Sequence, residues 1–365
     1  MRYLLFSYLP VPKAAERRRG LTISGLYHWA QVFSGEIGAP PLDSLSDYDI
    51  VHLNFTGGSL GHVHRIAEAC RRSLHTKFIL NVDYSVDLWS NNIPFPTLFL
   101  KEIDQVDLIF HVEPRGAALL ETALKRHVPV IPHPVDVSSL ASVAFQIERQ
   151  PILSVISHRY DNDYMEAWLL AETIRQETGV ATALFLCNAN AQQDFVDRVL
   201  PMFSGGCVWS DYDDFIYRIA ESSVVYDTAS LSTFGRVVGE CAAMGVPVVC
   251  NDSCFAGREL FPETTFPAHR ADLKLQALRD LFTVPGFYRS VSAQATQRVS
   301  QLCGYEVSRR RLLTKLGLLA QPTGEDAPVT TVNGSLGLNL GAPESTDGFH
   351  KIPSVLSNSD GKGAL

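Results

Sequence analysis

The sequence contains no run of eighteen or more apolar residues, so no segment reads as a membrane-spanning helix and no stable membrane insertion is expected. It also lacks a Cys-x-x-Cys pair. Its seven cysteines, Cys70, Cys187, Cys207, Cys241, Cys250, Cys254 and Cys303, are odd in number and scattered. That pattern excludes a disulfide framework or a zinc knuckle and suits reduced thiols in a cytoplasmic protein. Cys250 and Cys254 are the one close pair, and no further ligands stand beside them for a metal cage. A basic excess is missing too: 31 Lys and Arg stand against 39 Asp and Glu, a net charge of -8. This argues against a broad electrostatic footprint for nucleic acid or an anionic membrane, leaving only local basic clusters. The first ten residues hold an apolar stretch without a small-residue cleavage site, and they read as a first buried strand.

What is present is globular: 46% hydrophobic and 19% charged residues over 365 positions, enough for two cores. Short apolar runs at 3–8, 50–54, 77–82, 108–112, 129–131, 152–157, 182–187, 224–226 and 246–250 are the expected strands. Amphipathic stretches at 60–74, 116–127, 164–177, 191–200 and 234–244 lie between them. The runs are continuous rather than alternating, which implies strands buried on both faces and so parallel sheets covered by helices. The class is α/β.

The series breaks at Val130-Ile-Pro-His-Pro-Val-Asp136, where two prolines interrupt the strand and Ser138 and Ser139 follow; a new series starts at Pro151. Two doubly wound halves with a cleft between them are the economical architecture. The expected domains are 1–137 and 138–306, then a last helix at 307–320 carrying Arg309, Arg310 and Arg311. From Gln321 onward, seven Gly and four Pro fall among 45 residues with little apolar periodicity, so 321–365 is expected to be a disordered tail.

The most informative segment runs from Ser222 to Cys250 and reads strand, polar loop, Gly235, helix, Gly245, strand. A loop ending in Thr233-Phe234-Gly235 leaves backbone N–H groups facing outward at a helix start, where partial positive charge suits a phosphate or diphosphate. Arg236 adds a cation at the same end, and Glu240 follows four residues later on the same helix face. A carboxylate there is placed to accept hydrogen bonds from ribose hydroxyls. Without the surrounding pattern, Glu240 reads as an exposed helix carboxylate pairing with Arg236, and Gly235 as a turn residue.

The segment resembles the donor-site signature of GT-B glycosyltransferases, specifically the retaining family 4. There two Glu stand eight positions apart, followed by Ala-Met-Ala-x-Gly-x-Pro-Val. Here the pattern stands as Ser232-Thr-Phe-Gly-Arg-Val-Val-Gly-Glu240, then Cys-Ala-Ala-Met-Gly-Val-Pro-Val. Val106-Asp-Leu-Ile-Phe-His-Val112, Val130-Ile-Pro-His-Pro-Val-Asp136 and Asp49-Ile-Val-His-Leu-Asn54 resemble other family segments in the same order, so the likeness spans most of 1–320. It implies a GT-B fold of two Rossmann-like domains around an interdomain cleft.

The resemblance also implies residue roles. Glu240 matches the second Glu, which holds the nucleotide ribose. Ser232 stands where the first Glu contacts the transferred sugar, and it carries no charge. Arg159 takes the place of the Arg and Lys that grip the diphosphate, with no Lys after it, and Asp83 replaces the family's loop histidine. The implied catalytic set is Asp83, Ser232 and Glu240; the implied donor set is Arg159, Thr233, Phe234, Gly235, Arg236 and Glu240. Asp83 reads as a base, an acceptor-orienting group or a turn cap. On the acceptor side, His52 and the run Arg17, Arg18 and Arg19 are further candidates; the run reads either as solvated or as attracting an anionic acceptor.

The implied activity is transfer of a sugar from a nucleotide sugar, UDP-sugar being the commonest, with retention and without metal or resident cofactor. The acceptor is open among a glycan, a lipid-linked sugar, a small molecule and a modified nucleic acid. The missing charge at Ser232 leaves a second reading, a GT-B-like protein that binds nucleotide or glycan without turnover. Asp161-Asn-Asp163 and Asp211-Tyr-Asp213-Asp214 carry the Asp-x-Asp pattern of metal-dependent GT-A enzymes, against the commoner role of such triplets in turns and helix caps.

Overall fold

The continuous apolar runs form parallel strands, as their lack of alternation requires. In the first sheet, β1 (Tyr3–Phe6), β2 (Glu36–Gly38), β3 (Ile50–Phe55), β4 (Lys77–Val82) and β5 (Leu108–His111) lie in the order β2-β1-β3-β4-β5. The second sheet holds β6 (Gln150–Ser157), β7 (Ala181–Leu186), β8 (Gly205–Val208), β9 (Ser222–Asp227), β10 (Val248–Asn251) and β11 (Thr265–Phe266), in the order β11-β10-β9-β6-β7-β8. Every pairing in both sheets is parallel. The strand order reverses between β1 and β3 and between β6 and β9, and open α/β sheets bind ligands beyond the carboxyl ends of strands at such points.

This computed structural model describes residues 1–7, 24–55, 61–83, 85, 96–157, 164–186, 197–208 and 212–320. Arg17, Arg18, Arg19, Arg159, Asp161, Asp163 and Asp211 lie outside the described residues, as do most of the stretch 191–200 and the tail 321–365. Met1–Gln321 belongs to one compact unit.

Twelve helices matter to the argument. They are α1 (Ser24–Phe33), α2 (Val63–Cys70), α3 (Pro96–Ile103), α4 (Pro114–Leu124), α5 (Val137–Gln146) and α6 (Tyr164–Thr178), then α7 (Tyr212–Glu221), α8 (Arg236–Met244), α9 (Phe255–Leu260), α10 (Ala271–Thr283), α11 (Pro285–Cys303) and α12 (Tyr305–Lys315). Local chemistry sets several starts. The Glu113 carboxylate caps α4 by accepting from the N–H groups of Arg115 (2.7 Å) and Gly116 (2.6 Å), with Pro114 in the first turn. Asp136 caps α5 by accepting from Ser139 N–H at 3.1 Å.

The first sheet buries Val51, Leu53, Leu80 and Ile109 with α2 on one side and Tyr3, Leu5 and Ile79 with α1 on the other. The last helix returns to this half: Leu312 and Leu313 of α12 pack with Tyr3, Leu5 and Trp29. The second sheet has its own core, including Val155, Leu184, Val225 and Val249. Each such fully buried side chain contributes about 1.5–3 kcal/mol relative to exposure. Among the described residues, no helix is long and apolar enough to cross a membrane.

Three departures from the sequence expectations have plain causes. The run 129–131 makes a single bridge, Val130 to His111, rather than a strand, because Pro129 and Pro132 supply no N–H for a ladder. Strands β2, β8 and β11 were not expected: they are short edge elements of 3, 4 and 2 residues, and β8 opens on two glycines. His52 does not reach the cleft. It is fully buried, its Nδ1 bonded to Tyr3 Oη and its Nε2 2.7 Å from Asn81 Oδ1.

Candidate functional site

The loop from Thr228 to Gly235 leaves the carboxyl end of β9, at the reversal point of the second sheet, and feeds α8. Its last residues are strapped down by backbone hydrogen bonds: Thr233 N–H to Ser253 O (3.2 Å), Phe255 N–H to Thr233 O (2.9 Å) and Ala256 N–H to Phe234 O (2.8 Å). Gly235 sits at φ 78°, and a Cβ there would lie 2.1 Å from Cys254 Sγ, so both the backbone and the space demand glycine.

Below the loop, the Asn251 amide donates to Ala229 O at 3.1 Å, and its Oδ1 accepts from Lys274 at 3.0 Å. Lys274 is itself buried and bonds Ala268 O (2.8 Å) and the Glu166 carboxylate. A buried ammonium is tolerated when so fully partnered, and here it fixes which way Asn251 points.

Helix α8 starts without a side-chain cap and has no acidic residue in its first turn. Arg236 stands there instead, where the helix dipole disfavours a cation by a few tenths of a kcal/mol to about 1 kcal/mol. Its guanidinium lies 3.2 Å from Glu240 Oε1 and 5.8 Å from the centre of the Tyr212 ring. Glu240 is 1% exposed, and its Oε1 also accepts from Tyr212 Oη at 2.7 Å. Its Oε2 is buried with no hydrogen-bond partner among the described residues. Leaving a buried acceptor unpaired costs about 1–3 kcal/mol.

The first half contributes the facing groups. His28 on α1 meets Tyr212 edge-on at 6.5 Å and bonds Tyr305 Oη of α12 at 2.5 Å. Burial first, and then the charges of Arg236 and His133, push its pKa down to about 3. Asp83, just past β4, bonds His133 Nε2 at 2.8 Å, and the His133 ring meets the Phe234 ring edge-on at 6.0 Å. Burial would raise the Asp83 pKa, but His133, with help from His111 and Arg236, outweighs it and lowers the carboxyl below its usual range.

The structure thus gathers Asp83, Phe234, Arg236 and Glu240 from the expected site. Ser232 and Phe234 are both buried, 5% and 2% exposed, so Phe234 lends this site its backbone and a packing face. Thr233 Oγ1 accepts a long hydrogen bond from Gly235 N–H at 3.4 Å. His28, His133, Tyr212, Tyr305 and Lys274 were not expected. One signal for His133 was present: the Pro-His-Pro run stands where the resembled family has Pro-Asn-Gly. Among the described residues, no group of three or more His, Cys, Asp or Glu side chains could hold a metal ion. Asp213 and Asp214 lie in the first turn of α7, and Asp214 pairs with Arg218.

Solved structures share this architecture. An alpha,alpha-trehalose-phosphate synthase (UDP-forming) from Burkholderia vietnamiensis superposes with a TM-score of 0.63 at 10% identity, covering 87% of this chain and 98% of that one. The fold is GT-B. A trehalose-6-phosphate protein from E. coli bound with UDP-2-fluoro glucose gives 0.61 at 12% identity, with 88% and 100% covered. An alpha-glucosyltransferase in complex with UDP-glucose and DNA containing an abasic site gives 0.59 at 12% identity, with 87% and 99% covered. No family model matches the chain, and no curated protein sequence does. The GT-B likeness therefore rests on shape, and the sheet reversal at β6 and β9 is where that shape puts the loop before α8.

Proposed function

We propose that this protein is a glycosyltransferase that moves a sugar from a UDP-sugar to an acceptor hydroxyl, retaining configuration and needing no metal. The observation that carries the reading is the glycine-initiated, uncapped start of α8, with Arg236 on its first turn and a buried Glu240 oxygen awaiting a donor one turn behind. The diphosphate would take the N–H groups of the first turn of α8, and the ribose would take Glu240 Oε2. The UDP and UDP-glucose named in the structures of similar shape support uracil as the base.

As the bond from the anomeric carbon to the diphosphate breaks, its electron pair goes to the leaving oxygen. Arg236 and the helix start stabilise that growing negative charge, which is the role a divalent metal fills elsewhere. The acceptor oxygen then bonds to the anomeric carbon. With retention it approaches the face the diphosphate leaves, so its proton passes to a leaving phosphate oxygen. Arg159 would add a second cation at the diphosphate and Thr233 a hydroxyl. The acceptor stays open among glycans, lipid-linked sugars, small molecules and modified nucleic acids.

A thermal-shift panel of UDP, GDP, ADP and CDP with their glucose conjugates, run with EDTA and with manganese, tests this. Ligand at 100 times its dissociation constant adds about 2.7 kcal/mol. Stabilisation by UDP in EDTA, lost in Glu240→Ala, is expected. Stabilisation only with manganese would move the site to the Asp-x-Asp triplets, and no shift at all would sink the donor reading. Binding without any transfer to acceptors would leave the non-catalytic alternative.

A further inference from the structure

One face of the first sheet changes character along its length. Side chains alternate across a strand, so Ile50, His52 and Asn54 of β3 share a face with Ile79 and Asn81 of β4 and with Tyr3 of β1. The apolar end, with Tyr3, Ile50 and Ile79, packs against α1 and α12. Toward the carboxyl ends the residues turn polar. His52 and Asn81 are fully buried, and Asn54, which pairs with Asn81 in the strand register, is half-buried. The strand order reverses between β1 and β3, so Asn54 stands where an open parallel sheet takes a ligand.

These polar groups form a chain with one direction. Tyr3 Oη bonds His52 Nδ1, His52 Nε2 stands 2.7 Å from Asn81 Oδ1, and the Asn81 amide donates to Asn54 Oδ1. Tyr3 is 1% exposed, and His52 is the one hydrogen-bond partner of its hydroxyl among the described residues, so the buried O–H must donate. His52 is held neutral by burial, its pKa pushed down to about 3; it accepts at Nδ1 and carries its single ring hydrogen on Nε2. Asn81 Oδ1 accepts that hydrogen, and the Asn81 N–H passes the direction on. The reverse chain would leave the Tyr3 hydrogen buried without an acceptor, at a cost of about 1–3 kcal/mol. Asn54 therefore turns its oxygen inward, and its N–H pair is the outward end.

We propose that Asn54 is a substrate-binding residue whose N–H pair holds an oxygen of an uncharged, hydroxyl-bearing acceptor, with Tyr3, His52 and Asn81 as its positioning residues. Calling the ligand an acceptor rests on the transferase reading above. An amide donor by itself suits a hydroxyl, a ring oxygen or a phosphate oxygen alike. Asp83 decides against the phosphate. Alternation places it on the same face, just past the end of β4, and its carboxyl is held below its usual range, so a fixed negative charge stands at this end of the sheet. More isoleucine, as at Ile50 and Ile79, would make a simpler core. The satisfied polar chain gives up that apolar burial and gains a fixed direction at its end.

Saturation-transfer NMR, with and without UDP, tests this with the methyl α-glycosides of glucose, galactose and mannose as uncharged probes and glucose 6-phosphate as the charged one. Wild type is expected to bind at least one glycoside more tightly than the phosphate. Asn54→Asp keeps an oxygen for the Asn81 amide but loses the N–H pair, and should weaken that glycoside about tenfold or more. Asn54→Ala, which brings no charge, should weaken it by a similar factor. Tyr3→Phe removes the group that sets the direction, and should weaken it about threefold while leaving UDP affinity unchanged. Circular dichroism checks that each variant is folded. The His52 ring gives the spectroscopic signature: nitrogen-15 shifts should place its hydrogen on Nε2 in wild type and show mixed tautomers in Tyr3→Phe. Hydrogen on Nδ1 in wild type, binding of no glycoside, equal binding by the Asn54 variants, or tighter binding of glucose 6-phosphate would each overturn the assignment. Glycoside binding that needs Asn54, with no binding of UDP, would sink the donor reading and leave this one standing.

Discussion

Glu240 and Asp83 are two carboxylates on opposite sides of one cleft, and they are held in opposite ways. Glu240 is buried, anchored through one oxygen to Tyr212 and Arg236, with the other oxygen buried and unpaired. Asp83 is accessible and hangs on a single buried histidine. Rigidity around Glu240 comes from its own half: the loop before α8 is strapped to Ser253, Phe255 and Ala256, and Lys274 braces it through Asn251. The position of Asp83 depends on His133, in the segment joining the two halves, where Val135 bridges to Gly304 at the start of α12. A ligand anchored on the second half would thus find its fixed contacts prebuilt there, and its accessible charge on the first.

The largest way to break this contrast is on the rigid side. Gly235→Ala forces a Cβ against Cys254 Sγ at a left-handed φ, and should cost about 2–4 kcal/mol in urea denaturation. Adding Cys254→Ala should recover the packing part of that loss and leave the backbone part. Equal stability of Gly235→Ala and wild type would mean that the loop is not strapped as described.

Acid should act on the first half. His28 and His52 are pushed down to about 3 from 6.5, by burial first; Arg236 and His133 add to it for His28, while the Asn81 bond partly offsets it for His52. Folded-state values below the unfolded value mean that the unfolded chain binds more protons between pH 6.5 and 3, so stability falls as pH drops through that window. At pH 5 each histidine should cost about 2 kcal/mol against neutral pH. Denaturation at pH 7 and pH 5 measures the sum, and His52→Gln should remove about half of the dependence. A flat profile would contradict the burial of both rings.

Smaller effects separate the anchors of Glu240. Glu240→Gln should weaken UDP about tenfold to a hundredfold, because a charged acceptor becomes a neutral one. Tyr212→Phe removes only the group that orients the carboxylate, and should weaken UDP about fivefold in the same calorimetry. If Tyr212→Phe were the more damaging of the two, the ribose contact would belong to Tyr212.

The same contrast explains what the sequence could say. Gly235, Arg236 and Glu240 were legible because their relation is local: one loop and one helical turn place them. Buried strands β3, β4 and β9 were legible from unbroken apolar runs. Glu240 read in isolation as exposed, since nothing local reveals that Tyr212 of α7 packs onto it. The pairs Asp83 with His133, His28 with Tyr305, and Lys274 with Glu166 join distant segments, and no spacing rule brings such residues together. Strands β2, β8 and β11 were missed because short edge strands carry too few apolar residues to signal.

The most direct test of the donor site is a cycle between one residue and one ligand edge. Calorimetry would compare UDP with its 2′,3′-dideoxy analogue on wild type and on Glu240→Gln. A buried carboxylate oxygen waiting for ribose predicts that wild type prefers UDP by about tenfold or more. Most of that preference should vanish in Glu240→Gln. The same preference in both proteins would mean that the hydroxyls are read elsewhere and that α8 is not the nucleotide's seat.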